Sequence, residues 1–425
     1  MKVFYSTNMC ASHERSWVEI KNSIPNFKKV NNPKRADVIL AYLCAMSTEE
    51  LNESRSKLKE FSAIKIANPR IKLIAGGCAV EIMDLQNEFP AIDATFTKLS
   101  MIEDVLKELG ISERSSKPAV ETYAGGTAAI PIATGCLRHC AFCKTAYLDM
   151  TLHSIPEDQI FTEIEEAIRH QGARIINITG ENTSEWGTDL FGEPKLLYLL
   201  RKILQEFPEI KIMDVCGIAL DEMTPKMLKF LTRTPQIGLV QAEAQSFIPE
   251  VRKAMNLSKS ATEAKSIIEE LSSRKAIISN VMVGHPGETP KAFREQLEYI
   301  QRKRLYMLDP DMFISTPGTA SSKMEQIPQS EKEQRLMDMS KVMLGLRLQR
   351  ANELKKIGDS GKTIPAYVTA INPHGSLLML EGEPILVRTK KIIPVGTNVQ
   401  CRIKGLGPIA SLADNMIRME GDVVS

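Results

Sequence analysis

The sequence lacks a membrane span, a secretory leader and an excess of charge of either sign. No apolar run approaches the ~20 residues that a membrane helix needs. Residues 1–7 show neither the apolar core nor the cleavage pattern of a signal peptide. The formal net charge is +2, which speaks against a large polybasic surface but leaves room for a local basic stripe that binds nucleic acid. We therefore expect a cytoplasmic protein without a membrane partner.

Cysteine is also sparse. Eight cysteines in 425 residues are too few for a disulfide scaffold. Three of the eight cluster at Cys136, Cys140 and Cys143, which indicates a metal centre in a reducing compartment. A chain of this length is too long for one ordinary domain, so we expect two or three. The composition, 43% hydrophobic and 25% charged residues, is that of a globular protein.

The three clustered cysteines have the spacing CxxxCxxC and follow a strand-like run at residues 129–133. Thiolates are soft ligands that suit iron–sulfur clusters, zinc or copper(I). Three of them can hold three irons of a four-iron cubane and leave the fourth iron open for a small chelating molecule. Zinc is the alternative, but structural zinc normally takes four ligands, and the nearest fourth ligand, His139, lies between two of the cysteines. An iron–sulfur cluster is the favoured interpretation.

Residues 1–111 alternate apolar runs with helical patterns, which predicts a doubly wound α/β domain with a parallel sheet. Cys10, Cys44 and Cys78 each follow one of its predicted strands. That edge of an open α/β sheet is where ligands bind, so the three thiols are candidates to share a second cluster. The alternative is three structural cysteines, because free cysteine is often buried. Their common position at one edge favours the cluster.

Residues 127–358 are predicted to form a partial (β/α)6 barrel with its site at the C-terminal mouth. Six strands are expected, at residues 129–134, 173–179, 209–214, 236–242, 275–283 and 309–314. Gly and polar residues at the strand ends allow backbone and side chains to approach a ligand. The candidate cofactor-binding residues are Gly180, Glu181, Gln245, Ser246 and Gly284. The alternative to cofactor binding for Glu181 is a role in a turn or as a helix cap. His285 is predicted to be a turn residue. No catalytic residue is assigned.

A long amphipathic helix is predicted at residues 330–358, with Ser330 and Glu333 as a capping box and Gly358 as its C-cap. Its apolar residues are expected to form a stripe that faces the core: Leu336, Met339, Met343, Leu344 and Leu346. Its basic residues are expected on the solvated face: Arg347, Arg350, Lys355 and Lys356.

Residues 362–425 carry short alternating strands and turn signals, which predict a small five-stranded antiparallel β-barrel with its last strand at 408–413. Such barrels often bind nucleic acid or protein partners. Five basic residues are candidates for phosphate contacts: Arg388, Lys390, Lys391, Arg402 and Lys404. Strand pairing is expected to bring them into one patch. Only Tyr367 is available for stacking, so we do not expect base stacking.

The loop around Cys136, Cys140 and Cys143 resembles the signature of the radical S-adenosyl-L-methionine (SAM) enzymes. In them, the open iron binds SAM, and an electron from the cluster splits SAM to a 5′-deoxyadenosyl radical. Together with the N-terminal cysteines and the small barrel, the whole chain resembles the radical SAM methylthiotransferases. The resemblance implies two [4Fe-4S] clusters, one on the N-terminal cysteines and one on the loop, and SAM as cofactors. It also implies that the C-terminal barrel is a TRAM domain.

Residues 135–145 and 179–187 most resemble the archaeal and eukaryotic branch of that family. The branch adds a methylthio group to carbon 2 of N6-threonylcarbamoyladenosine beside the tRNA anticodon. The resemblance implies the tRNA anticodon stem-loop as a partner and an electron donor such as flavodoxin or ferredoxin. The chain departs from the family pattern where residues 148–150 replace a basic Arg-Gly and where Phe247 replaces a glycine. Two alternatives stay open: a methylthiotransferase for protein or peptide side chains, as in the ribosomal-protein branch, and a non-catalytic cluster-bearing RNA-binding protein.

Overall fold

The computed structural model of the chain describes residues 1–7, 28–45, 48–96, 102–110, 122–123, 126–143, 151–407 and 417–424. The chain divides into two units, Met1–Val120 and Glu121–Ser425. The finer division into domains at 1–111, 127–358 and 362–425 stays a prediction. Of the helices in the described ranges, none combines the length and apolarity that crossing a bilayer requires.

A parallel sheet of five strands forms the centre of the first unit. The strands are β1 (Lys2–Thr7), β2 (Lys28–Lys29), β3 (Val38–Tyr42), β4 (Lys72–Gly76) and β5 (Ala94–Phe96), in the spatial order β2-β1-β3-β4-β5. The helices are α1 (Thr48–Ala67), α2 (Ala79–Ile82), α3 (Leu85–Glu88) and α4 (Ile102–Glu108).

Both faces of this sheet are covered, which confirms the doubly wound prediction. Successive residues of a strand point to opposite faces, and β3 is buried along its whole length. Ile39 packs in one apolar cluster with Leu58 of α1. Leu40 packs in a second cluster with Leu106 of α4. A parallel strand that is buried on both faces reads as a continuous apolar run, as residues 38–42 do.

Six parallel strands organise the second unit and confirm the predicted (β/α)6 arrangement. In chain order its strands are β6 (Thr122–Tyr123), β7 (Thr127–Thr134), β8 (His153–Ser154), β9 (Ile175–Gly180), β10 (Lys211–Ala219), β11 (Ile237–Glu243), β12 (Ala276–Val283) and β13 (Leu308–Met312). The spatial order is β13-β12-β11-β10-β9-β7-β6, with β8 also paired to β7. Because each parallel strand neighbours the next in the chain, all six end at one edge, which we call the mouth.

Three of the seven helices between these strands begin at a side-chain cap, provided by Thr224, Ser260 and Thr289. The seven helices are α5 (Glu157–Arg169), α6 (Thr188–Phe191), α7 (Leu196–Glu206), α8 (Pro225–Arg233), α9 (Pro249–Ala254), α10 (Ala261–Ser272) and α11 (Pro290–Lys303). Ser260 and Glu263 form a complete capping box at α10. Thr289 caps α11, with Pro290 at its first position.

The long helix α12 (Gln329–Asp359) corrects several predictions. Its N-cap is Pro328, without a side-chain cap, so the predicted capping box of Ser330 and Glu333 is wrong. Gly358 lies inside the helix instead of capping it. A Cβ there would lie 1.9 Å from the Ile403 carbonyl oxygen, so the close approach of β17 explains the glycine. Leu344 is 42% exposed, so it does not belong to the core-facing stripe. Arg347 is 3% exposed and therefore does not lie on a solvated face.

The C-terminal strands close into a barrel. They are β14 (Ile364–Asn372), β15 (Gly375–Leu380), β16 (Ile385–Thr389), β17 (Asn398–Leu406) and β18 (Ile417–Val423), in the order β14-β15-β16-β18-β17. One pairing, β16 with β18, is parallel, which corrects the fully antiparallel prediction. The strand predicted at 408–413 lies outside the described residues, and β18 is the fifth strand. Tyr367 is 1% exposed, so it is not available for stacking.

Candidate functional site

The cluster loop, residues 135–143, leaves β7 at the mouth. Gly135 has φ +77, and a Cβ there would lie 1.9 Å from the Thr151 carbonyl oxygen, so only glycine fits this turn. The Cys143 N–H donates to the Cys140 carbonyl at 3.0 Å and closes a tight turn between two of the thiols. Two contacts then fasten the loop to the segment after α9: the Ala141 N–H to Met255 O at 2.9 Å, and Asn256 Nδ2 to His139 O at 2.7 Å.

Donor groups surround the first thiol of the loop. Cys136 is 8% exposed, and its sulfur accepts from the Arg138 N–H at 3.4 Å and from Asn182 Nδ2 at 3.5 Å. Burial raises the pKa of the Cys136 thiol to about 12 and that of the Cys140 thiol to about 11. The free thiols are therefore protonated at neutral pH, and ligation of a metal centre must release their protons. N–H donors to a ligating sulfur are the kind of contact that tunes a cluster.

The donor set fits an iron–sulfur cluster better than zinc. Across the described residues, no three His, Cys, Asp or Glu side chains are grouped so as to hold one metal ion. His139, the fourth ligand that zinc would need, has an exposed side chain. In a cubane each thiolate binds a different iron, so the three sulfurs need not converge on one point. Cys136, Cys140 and Cys143 thus fit three corners of such a cluster.

The predicted cofactor-binding residues lie at the mouth, at the ends of β9, β11 and β12. Gly180 ends β9, where a Cβ would lie 2.9 Å from the Ala133 carbonyl oxygen, and half-buried Glu181 follows. Gln245 has φ +58, and its backbone bonds to Asn280 and Met282 of β12 at 2.9 and 2.8 Å. Their role in binding SAM stays a prediction.

Two further assignments at the mouth receive a structural explanation. Ser246 is fully buried, and its hydroxyl donates to Gln296 Oε1 at 2.9 Å. The predicted role of Ser246 in binding SAM also stays a prediction. Gly284 has φ +76, and its N–H donates to Glu288 Oε2 at 2.7 Å. Burial lowers the pKa of His285 to about 4, so this ring is neutral at physiological pH, and its Nε2 lies 2.7 Å from Ser321 Oγ.

Asp214 and Gln241, polar side chains inside the parallel strands, were missed at the sequence level. Asp214 accepts from the Cys216 thiol at 2.9 Å and from Gln241 Nε2, and Glu243 accepts from the Asn280 N–H at 2.8 Å. Burial raises the pKa of both carboxyl groups to about 7. The signal was available, because polar residues alternate at 177 and 179, 214 and 216, and 241 and 243 within apolar strands.

Three buried oxygens on these strands have no hydrogen-bond partner among the described residues: Asn177 Oδ1, Thr179 Oγ1 and Asp214 Oδ1. Buried acceptors normally find a donor. Ribose hydroxyls and an ammonium group are donors, and SAM carries both. Thr179, one residue before the end of β9, lies nearest the mouth and fits a ligand of that chemistry. Asp214 instead borders a cavity that it shares with Thr127, the first residue of β7, and with the C-terminal barrel.

The structure brings Cys44 and Cys78 to one edge of the first sheet, directly after the adjacent strands β3 and β4. The Leu43 N–H donates to the Gly76 carbonyl at 2.8 Å, and the Ala79 N–H donates to the Leu43 carbonyl at 3.2 Å. The Cys44 thiol lies 3.6 Å from Glu50 Oε2. Cys10 lies outside the described residues. Two of the three predicted ligands thus share the expected edge, and their ligation of a cluster stays a prediction.

The five barrel cations are exposed, but acidic residues lie among them. Strand β18 separates β16, which carries Arg388, from β17, which carries Arg402. Arg388 is opposite Glu420 and Arg402 is opposite Asp422, and Lys404 pairs with Asp422 at 2.7 Å. The predicted basic patch is therefore a mixed-charge face.

The turn that carries Gly284 is held by a buried ion pair. Arg335 Nη1 lies 2.7 Å from Glu288 Oε2, and both residues are at most 4% exposed. We expect Arg335→Met to lower the free energy of unfolding by about 3–5 kcal/mol, because it strands a buried carboxylate. Urea unfolding of the apoprotein measures this. Arg274→Met removes an exposed pair with Glu270 and should cost at most about 1 kcal/mol. Equal effects of the two changes would contradict the prediction.

Comparisons with known proteins agree with this geometry. Residues 130–300 match the radical SAM superfamily. The chain is 28% identical over 355 residues to the ribosomal protein uS12 methylthiotransferase RimO of Carboxydothermus hydrogenoformans, covering 77% of this chain and 78% of that protein. It is 27% identical over 390 residues to the tRNA-2-methylthio-N(6)-dimethylallyladenosine synthase of Methylobacillus flagellatus, covering 86% and 85%.

Solved structures show the same fold at low sequence identity. The radical S-adenosylmethionine methyltransferase TsrM from Kitasatospora setae, with cobalamin and a [4Fe-4S] cluster bound, superposes with a TM-score of 0.55 at 10% identity. That superposition covers 75% of this chain and 76% of TsrM. At this identity the likeness concerns the fold alone.

Proposed function

We propose that this chain, as a member of the radical SAM methylthiotransferases, adds a methylthio group to an adenosine beside the anticodon of tRNA. It is an enzyme that uses SAM and two [4Fe-4S] clusters. The observation that carries the proposal is the three-thiol loop at the mouth of a six-stranded parallel sheet, in a chain that aligns with methylthiotransferases over most of its length.

The chemistry assigns a task to each part of the chain. When bound, the clusters and SAM supply the radical, the sulfur and the methyl group. For each product, one SAM would take one electron from the donor and leave as methionine and 5′-deoxyadenosine, which carries the hydrogen of the broken substrate C–H bond. A second SAM would give the methyl and leave as S-adenosylhomocysteine. One C–S bond would form, and the odd electron of the substrate would pass to the cluster that supplies the sulfur. The residues of the loop hold one cluster, and Cys10, Cys44 and Cys78 hold the other. The buried strand interior excludes water from the radical.

The substrate is the finer part of the proposal. The relative from Methylobacillus flagellatus acts on a tRNA adenosine and aligns with 86% of this chain. The sequences of residues 135–145 and 179–187 resemble the branch of the family that modifies N6-threonylcarbamoyladenosine, with the methylthio group on carbon 2. We propose that modified base as the substrate, with the anticodon stem-loop as partner and a flavodoxin or ferredoxin as electron donor.

A protein substrate is the second candidate. The relative from Carboxydothermus hydrogenoformans modifies ribosomal protein uS12 and has a similar identity, 28%. The acidic residues Glu420 and Asp422 among the barrel cations also favour it, because a mixed-charge face binds phosphates less well than a basic one. The remaining alternative, a non-catalytic cluster-bearing RNA-binding protein, would be excluded by turnover of SAM to 5′-deoxyadenosine.

Mass spectrometry of a deletion strain distinguishes these candidates. Nucleosides from total tRNA and intact ribosomal proteins are compared before and after complementation with the full chain. We expect the 2-methylthio derivative of threonylcarbamoyladenosine to disappear on deletion and to return on complementation. Loss of a methylthio mass from uS12 alone would move the assignment to the second candidate, and loss from dimethylallyladenosine would change the substrate base.

The barrel cations supply a further prediction. We expect replacement by Gln of Arg388, Lys390, Lys391, Arg402 and Lys404 to weaken tRNA binding. It should also flatten the log–log salt dependence of binding by about 0.7–0.9 per lost phosphate contact. Filter binding over a series of KCl concentrations measures both quantities. SAM cleavage without tRNA should be unchanged.

A matched control removes five exposed cations on helices of the same unit: Lys226, Lys229, Lys291, Arg294 and Lys341. The control should leave affinity and salt slope as in the unaltered protein. If both variants behave alike, the barrel is not the RNA-binding surface.

A further inference from the structure

Asp221 lies between the cluster loop and the end of strand β11. It follows β10 in a short 3-10 helix, Leu220–Glu222, and it is buried. Its Oδ1 accepts from Arg252 Nη2 at 2.7 Å and from the Lys259 N–H at 3.3 Å. Its Oδ2 accepts from Arg138 Nη2 and from the Ser258 N–H at 2.9 Å. One carboxylate thus joins two arginines from different parts of the chain.

Arg252 connects this carboxylate to Gln245. Its Nη1 donates to the Ala244 carbonyl at 2.8 Å and to the Ser246 carbonyl at 2.9 Å. These carbonyls flank Gln245, whose φ of +58 is a strained conformation for a non-glycine residue. The planar guanidinium, with its fixed fork of donors, suits this task. Arg252 therefore holds Gln245 in its strained conformation at the mouth.

Arg138 connects the same carboxylate to the cluster loop. It lies between Cys136 and Cys140, and its N–H donates to the Cys136 sulfur at 3.4 Å. Its guanidinium, which binds Asp221 Oδ2, places a cation beside the loop. A cation at this place stabilises negative charge on the loop sulfurs, and Asp221 partly offsets that cation.

We propose that Asp221 is a positioning residue that couples the cluster loop to the Gln245 segment and sets the charge beside the cluster. We call Arg138, Asp221 and Arg252 the Asp221 network. The proposal rests on the proposed function, because it assigns the loop to a cluster. It adds that the loop and the β11 end move together, and that the charges of Arg138 and Asp221 affect the cluster in opposite directions.

The potential of the cluster gives a test that separates this role from plain structural support. Net charge near a cluster helps set its reduction potential. Removing an anion in Asp221→Asn should raise the midpoint potential, and removing a cation in Arg138→Gln should lower it. Electron paramagnetic resonance of the reconstituted chain during redox titration measures both shifts. Asp422→Asn, which removes the partner of Lys404 on the barrel, is the matched control and should not shift the potential.

Hydrogen exchange of the apoprotein tests the coupling without any cluster. Because charged hydrogen bonds contribute about 1.5–3 kcal/mol each, Asp221→Asn should speed exchange at both 136–143 and 244–246 by about tenfold or more. Arg252→Lys keeps the charge but loses the fork, and should speed exchange at 244–246 above all. Hydrogen exchange tests the coupling even if the loop binds no cluster. Failure of the unaltered chain to bind a cluster at the loop would overturn the proposed function, not the coupling.

Two results would overturn the coupling. One is equal shifts of potential, or none, in Asp221→Asn and Arg138→Gln. The other is exchange in Asp221→Asn that rises at only one of the two segments or uniformly along the chain. If Asp221→Asn does not fold, the other two variants still test the coupling. The network requires a lowered midpoint potential in Arg138→Gln and faster hydrogen exchange at 244–246 in Arg252→Lys.

Discussion

Replacing Cys136, Cys140 and Cys143 together by alanine is expected to abolish SAM cleavage and to halve the bound iron. Two four-iron clusters predict about eight irons per chain after anaerobic reconstitution, so the triple variant should keep about four. The physical reason is that no other donor set lies on this loop, where His139 is exposed and Asn182 already faces Cys136. Colorimetric iron determination and chromatography of 5′-deoxyadenosine measure the two effects.

Cys401→Ala is the control for this experiment. Cys401 is fully buried in the C-terminal barrel, so its loss should leave the iron content and SAM cleavage of the folded protein unchanged. If the triple variant keeps its full iron, the loop is not a cluster site. If it loses iron but still cleaves SAM, the open iron lies elsewhere.

The second large effect separates the two clusters. Replacing Cys10, Cys44 and Cys78 by alanine should also leave about four irons, but it should preserve SAM cleavage, because the loop and its contacts lie in the other unit. No methylthio product should form, since the missing cluster is the proposed source of the methylated sulfur. Chromatography of 5′-deoxyadenosine and mass spectrometry of tRNA nucleosides, on one sample, give both readouts.

Three outcomes would contradict this division of labour. An unchanged iron content would show that the three cysteines are structural, as buried free thiols often are. Full product formation without them would show that the sulfur comes from another source. Loss of SAM cleavage together with product would show that the two centres do not act separately.

The sheets could be predicted from the sequence because their strands are continuous apolar runs separated by helical patterns. Residues 38–42 and 276–283 read as buried parallel strands and form β3 and β12. The cluster loop could be predicted because thiol spacing carries ligand chemistry without knowledge of the fold. The position of Cys44 and Cys78 at one sheet edge followed from the alternation of strands and helices.

The buried charges of α12 could not be predicted in this way. Arg347 is buried because it donates to the carbonyls of Tyr306 and Leu308 at 3.2 and 2.8 Å, about 40 residues away in the chain. A helical pattern shows which residues share a face, but a cation on that face is read as solvated unless its partners are known. Gly358 was misread for the same reason, since its neighbour is the distant backbone of Ile403.

The contacts of Asp214 inside the barrel strands and the Asp221 network were also not predicted from the sequence. Asp214 meets Gln241 across neighbouring strands, and Asp221 meets Arg138 and Arg252 only after the chain has folded. The alternation of polar residues within the strands was visible in the sequence, but a single residue such as Asp221 carries no spacing signal. Its role follows from burial and from partners far away in the sequence.

The most direct test of the central claim is an anaerobic reaction of the full chain with methyl-deuterated SAM, a reductant and undermodified tRNA, followed by mass spectrometry of the nucleosides. The account predicts a product that has gained sulfur and one labelled methyl group, together with 5′-deoxyadenosine in at least the same amount. The product must be absent when Cys136, Cys140 and Cys143 are replaced. Labelled methyl transfer without sulfur, or product that persists without the loop cysteines, would contradict the assignment as a radical SAM methylthiotransferase.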